Sequence, residues 1–229
     1  MAMQWLEREL RRTGNPQDTL NADLIATMLK HRGKDIPMPQ VAVAKEATPV
    51  EVRRFTKEAK EALRDQGFAV YELTAQSIAS VRDSGRKFWS TWHRDNPQFE
   101  ALTSMHSEVA INPAKLFLPK SNNKTLVQQE DLIARFSEDL GTRIQGVEAI
   151  MGEVPDYVDL AFTHLNATRN YLFGEKDGYN YARTKTPTVG SSVANVGSFD
   201  PAIGLRVDVW SRDDGYGGVF AAPLVVPKA

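Results

Sequence analysis

The side chains in this sequence that could do chemistry are scattered. The four histidines, His31, His93, His106 and His164, fall in four separate segments. None is followed three or four residues later by a second ligand in the manner of a zinc-binding helix. With no cysteine in the chain, disulfides, thiolate chemistry and the usual structural zinc sites drop out as well. No metal site and no cofactor is therefore expected. Ser191 and Ser192 lack the Gly-x-Ser-x-Gly setting of a nucleophile elbow. Glu72, Asp83, Glu108 and Glu148 lie on or beside candidate strands, where two carboxylates could share acid and base work, although solvated strand ends look the same. Arg183 and Lys185, two apart in a polar strand candidate, would project to one side and could hold an anion. The turn Asn122-Asn123-Lys124-Thr125 precedes a helix but has no glycine to admit a phosphate, so it reads as a cap supplied by Asn123.

The C-terminal stretch DVWSRDDGYGGVFAAPLVV is denser in recognition-type residues. Trp210 and Arg212 stand at the entrance to a bend made of Asp213, Asp214, Gly215, Tyr216, Gly217 and Gly218, and an apolar run follows. Small polar residues around one tyrosine make an adaptable contact surface. The candidate ligand-binding residues are therefore Asp208, Trp210, Ser211, Arg212, Asp213, Asp214, Tyr216 and Phe220. A glycine-rich hairpin without a task has the same composition.

Composition bounds what surrounds these residues. At 229 residues and 41% apolar content, the chain can bury one good core or two small ones. Its 28 basic and 29 acidic residues nearly cancel, which removes the basic field of a nucleic-acid binder. The start, MAMQWLERELRRTG, is charged and helical, unlike a signal peptide, and no stretch approaches the roughly 18 apolar residues of a membrane span. The chain reads as cytoplasmic, outside lipid and not engaged with nucleic acid.

The elements that must position the candidates follow from period and punctuation. Trp5, Leu6 and Leu10, then Leu24, Ile25, Met28 and Leu29 across Asn15-Pro16, predict an N-terminal helical extension over 1–33. The proline-rich segment 34–48 reads as a linker. From 49 onward helices and strands alternate. A helix is expected from Thr48-Pro49 to about Gln66, a strand at 68–73 and a helix from Thr74 toward Phe88 and Trp89. Further strands are expected at 108–113 and 115–119, a helix at 125–140, a strand at 143–152 and a helix at 155–172. The last 55 or so residues lose any helical period. Strands at 179–184, 191–197, 204–210 and 219–226 should form a C-terminal antiparallel sheet, giving an α+β fold.

Residues 179–226 resemble the end of a C-type-lectin-like domain, of the branch shared by formylglycine-generating enzymes and the variable proteins of diversity-generating retroelements. The matching features are a Gly-Leu-x-Val strand ending in a tryptophan (Gly204 to Trp210), a loop of mutable residues and a closing strand of small and branched residues. Ser211, Asp213, Asp214, Gly215, Tyr216, Gly217 and Gly218 have the palette that adenine-directed mutagenesis of Asn codons produces in the variable proteins. The loop itself contains no asparagine. The resemblance implies a C-type-lectin-like fold over 49–229 and a loop that binds ligands. The enzymes of the branch use cysteines, so catalysis is not carried over to this chain.

The leading expectation is a binding protein, not an enzyme, that displays its 208–220 loop to a protein or other ligand. Two alternatives come with it. One is an enzyme or small-ligand protein using Arg183, Lys185 and Asp208 in a cleft. The other is a structural subunit whose N-terminal helices, with Trp5 and Leu10 exposed, assemble a homo-oligomer.

Overall fold

A computed structural model describes residues 53–89 and 96–228, all within the compact unit Val50–Ala229. The expected N-terminal helices, the linker, the start of the helix after Pro49, and His31 and His93 lie outside the described residues.

The helices are α1 (Lys57–Asp65), α2 (Ile78–Asp83), α3 (Pro97–Glu100), α4 (Leu126–Arg143) and α5 (Val154–Thr168). The strands are β1 (Ala69–Glu72), β2 (Glu108–Ile111), β3 (Val147–Ile150), β4 (Tyr181–Pro187), β5 (Ser192–Asp200), β6 (Gly204–Ser211), β7 (Val219–Phe220) and β8 (Leu224–Pro227). They build an α+β fold with two four-stranded sheets, ordered β1-β2-β8-β3 and β6-β5-β4-β7.

Burial shows how the layers stack. Helix α5 touches β1 as well as β4 and β5, and ten of its residues, from Val154 to His164, are buried, so it packs between the sheets. Leu224 on β8 joins the core around α5, whereas its neighbour Val225 joins the core beneath α1 and α4. This is the strand's alternation of faces. Strands β2 and β8 are buried along their whole length because helices cover both sides of their sheet.

Several expected elements moved, each for a local reason. Helix α1 begins at Lys57 because the Thr56 hydroxyl accepts from the Ala59 amide at 3.1 Å. Thr74 does not open a helix; its amide and hydroxyl both donate to the Asp159 carboxylate, at 2.6 and 2.9 Å, and Ser77 caps α2 instead. That helix stops at Asp83, and Phe88 bridges in parallel to Leu205. The 115–119 segment is no strand. The Asn112 side-chain oxygen accepts from the amides of Ala114 and Lys115, at 3.0 and 3.1 Å, turning the chain away from a ladder.

The closing strand expected at 219–226 is two strands in two sheets. Val219-Phe220 pairs in parallel with β4, and Leu224–Pro227 inserts between β2 and β3. Pro223 has no amide to donate at the crossing, and the Tyr157 hydroxyl bonds the Ala222 carbonyl there at 2.5 Å. The second sheet is therefore mixed rather than antiparallel, and the last strand belongs to the first sheet.

Candidate functional site

Strands β5 and β6 pair in register, with Asn195 opposite Asp208 and Val193 opposite Trp210, while Arg183 of β4 lies opposite Asn195. One row across the second sheet therefore reads Arg183, Asn195, Asp208. Above it runs the bend 211–218, fixed from below and from the side.

Arg183 does the fixing from below. Its side chain is fully buried, and its Nη1 donates to the Ser211 carbonyl at 2.7 Å. Its Nη2 donates to the carbonyls of Asp214 and Lys124, at 2.9 and 3.3 Å. A guanidinium is suited to this because it presents donors in a rigid planar fork and keeps its charge when buried. Burial lowers the proton affinity of Arg183 from its ordinary value, and the Asp214 carboxylate opposes that effect.

The turn before α4 holds the bend from the side. Leu126 donates to the Arg212 carbonyl at 2.8 Å, Asn123 to the Tyr216 carbonyl at 3.1 Å, and the Asn122 amide to the Gly217 carbonyl at 3.1 Å. The helix cap expected of Asn123 is made instead by Thr125, in a capping box with Gln128. Asn123, with φ at 53°, lies against the bend. A Cβ on Gly215 would sit 2.4 Å from the Asn123 carbonyl carbon, so only glycine allows this approach.

With the backbone tied inward, the side chains of Arg212, Asp213, Asp214 and Tyr216 face solvent. The rings of Tyr216 and Trp210 stack with centroids 4.5 Å apart at 29°. They border a pocket of about 230 Å³ whose lining also includes Tyr181, Asn195, Arg206 and Asp208. Arg206 pairs with Asp208 at 2.8 Å and lies 4.6 Å over the ring of Trp89, which is 47% exposed. The pocket's lining thus joins an ion pair to an aromatic stack, with Trp89 beyond it against Arg206. Burial raises the Tyr181 phenol from its ordinary value, with a Ser198 hydrogen bond opposing it. Two lining residues also carry buried atoms, Asn195 Oδ1 and Trp210 Nε1, that have no hydrogen-bond partner among the described residues.

Of the candidates named from sequence, Asp208, Trp210 and Tyr216 line this pocket, and Arg212, Asp213 and Asp214 project from the bend above. Ser211 is half-buried; its carbonyl accepts from Arg183 and its hydroxyl oxygen accepts from the Asp213 amide. Phe220 does not line the pocket; it packs on Phe117 with centroids 5.0 Å apart. Arg183 and Lys185 are separated by the structure. A register shift between Arg183 and Pro187 breaks the alternation that would have aligned them, leaving Arg183 buried on carbonyls and Lys185 exposed beside Glu153 and Asp156. Arg206, Tyr181, Asn195 and Trp89 were missed. The signal for Arg206 was present, since Arg206, Asp208 and Trp210 alternate along β6. Trp89 is brought to the site by the short bridge to β6, in which its amide donates to the Leu205 carbonyl at 2.9 Å, and no local pattern announces that pairing.

Several of the remaining chemical groups have structural partners. Glu108, 1% exposed, accepts from Lys60 Nζ at 2.7 Å and from the Phe55 amide at 2.9 Å. Its cross-strand neighbour Glu72 pairs with Arg54 at 2.6 Å. His164 bonds the Tyr71 hydroxyl at 2.7 Å in the core. Among the described residues, no group of three or more His, Asp or Glu side chains could hold a metal ion. No helix there is long and apolar enough to cross a membrane.

Fold and site together define an α+β protein with an anchored, solvent-facing aromatic and charged bend. Comparison with family models, with curated proteins and with solved structures finds no match for this chain.

Proposed function

We propose that this protein is a recognition module that binds a protein or other ligand through the 208–218 bend and the adjoining β6 face. We further propose that its C-terminal part is C-type-lectin-like, in the manner of the retroelement variable proteins. The observation that carries the reading is the division of labour in the bend. Its carbonyls are held by Arg183, Asn122, Asn123 and Leu126, while the side chains of Arg212, Asp213, Asp214 and Tyr216 are left outside. A backbone ordered in advance lowers the entropy lost on binding. Stacked Trp and Tyr rings beside an Arg–Asp pair are the residue types that dominate recognition surfaces.

The test compares the full chain with a Tyr216→Ala, Asp214→Ala double variant as immobilised baits. A component retained by the first is then purified and its affinity measured for both. The double variant should melt within a few degrees of the parent and lose at least about tenfold in affinity, since aromatic anchors of this kind are worth about 2 kcal/mol or more. Equal affinity for parent and variant contradicts the proposal.

A further inference from the structure

A second cavity, of about 740 Å³, opens between the 112–119 segment, the start of β1, the C-terminal half of α4 and the crossing at Pro223. It exists because Asn112 turns the chain away from a ladder, so that 115–119 leaves the sheet and is tied to the crossing between β7 and β8, where the Leu118 amide meets the Ala221 carbonyl at 2.9 Å. Its walls are apolar and largely aromatic: Phe68, Leu116, Phe117, Leu118 and Phe136. The volume falls within the range of cavities that enclose a small organic ligand, roughly 300–1,000 Å³.

The polar groups of the lining are nearly all spent. The Asn112 amide nitrogen donates to the Gln66 carbonyl at 3.3 Å, and its oxygen serves Ala114 and Lys115. Arg143 is held by the Asp139 carboxylate at 2.7 Å and by the Gln66 side chain. The lining contains no aspartate or glutamate. Lys115, exposed at the mouth, forms no ion pair with any described residue. The cavity therefore combines an apolar interior with one uncommitted cation at its mouth, which is complementary to an anion carrying an apolar tail.

We propose that this cavity binds an amphipathic monocarboxylate, its tail against Phe68, Phe117 and Phe136 and its carboxylate on the Lys115 ammonium. The proposal is independent of the 208–218 surface. It is tested by calorimetric titration of the full chain with unbranched carboxylates from butanoate to decanoate, and with 1-octanol as the uncharged counterpart. Affinity should rise about fourfold per added methylene, and octanoate should bind at least about tenfold tighter than 1-octanol. Lys115→Gln should abolish that preference while leaving octanol binding unchanged, because an exposed lysine can be replaced without disturbing the walls. Phe136→Trp, with folding checked by thermal melting, should weaken both by narrowing the cavity. No binding, a flat chain-length series, or an octanoate preference that survives Lys115→Gln would each overturn the proposal; the first two are expected if a second copy of the chain fills the cavity.

Discussion

The guanidinium of Arg183 meets the Ser211 carbonyl at 2.7 Å from inside the protein, while the next residues of the same bend turn Arg212 and Asp213 out to water. One buried cation thus sets the path of a solvent-facing segment.

Removing that cation should cost far more than its position in a polar strand suggests. Arg183→Leu leaves the carbonyls of Ser211, Asp214 and Lys124 without their donors. The expected loss is about 3 kcal/mol or more in urea unfolding. Arg183→Lys should restore less than half of it, because a single ammonium cannot reproduce a planar fork aimed at three carbonyls in two segments. A leucine variant as stable as the parent would show that the clamp contributes nothing.

The glycines of the bend should separate into a demanding and a tolerant position. Gly215→Ala drives a methyl into the Asn123 backbone and should destabilise by about 1–3 kcal/mol. At Gly217 the nearest atom to an added Cβ is Asn123 Oδ1 at 3.8 Å. Gly217→Ala should therefore fall within about 0.5 kcal/mol of the parent. Thermal unfolding of the two variants side by side checks both expectations.

How far the site could be read beforehand follows from which interactions are local. The α+β class, the positions of β1, β2, β5 and β6, and the outward bend were legible because period-2 alternation and glycine punctuation are properties of neighbouring residues. Arg183 was misread because its task depends on carbonyls 28 and 31 residues downstream, and a strand pattern alone cannot tell a solvated arginine from one spent on distant backbone. The break of the last strand was signalled by Pro223. Its destination between β2 and β3 was not, since pairing with strands so distant in the sequence, as Val225 pairs with Ala110, leaves no local trace.

Acid should weaken the core through His164. Burial, with a smaller contribution from Lys176, holds the imidazole below its ordinary value of 6.5, so the folded protein keeps it neutral where the unfolded chain takes up a proton. The stability it supports is complete above pH 6.5 and is lost as the pH falls from there through the lowered folded value, at no more than about 1.4 kcal/mol per pH unit. Asp159 acts in the opposite sense, because burial raises its carboxyl above 3.8 and the folded state gains from its protonation at lower pH. Urea unfolding of the parent should therefore weaken between about pH 7 and 5, and the same series on His164→Gln should be flatter over that range. Identical slopes for the two would exclude His164 as the source.

The account depends on the bend having a fixed backbone and replaceable side chains. The most direct measurement is a saturation scan of residues 208–218 and 183 displayed on yeast, read out by protease resistance. Most substitutions at Arg212, Asp213, Asp214 and Tyr216 should leave protease resistance unchanged, whereas those at Arg183 and Gly215 should lower it. If the exposed positions prove as intolerant as the buried ones, the bend is part of the fold and does not serve as a surface for recognition.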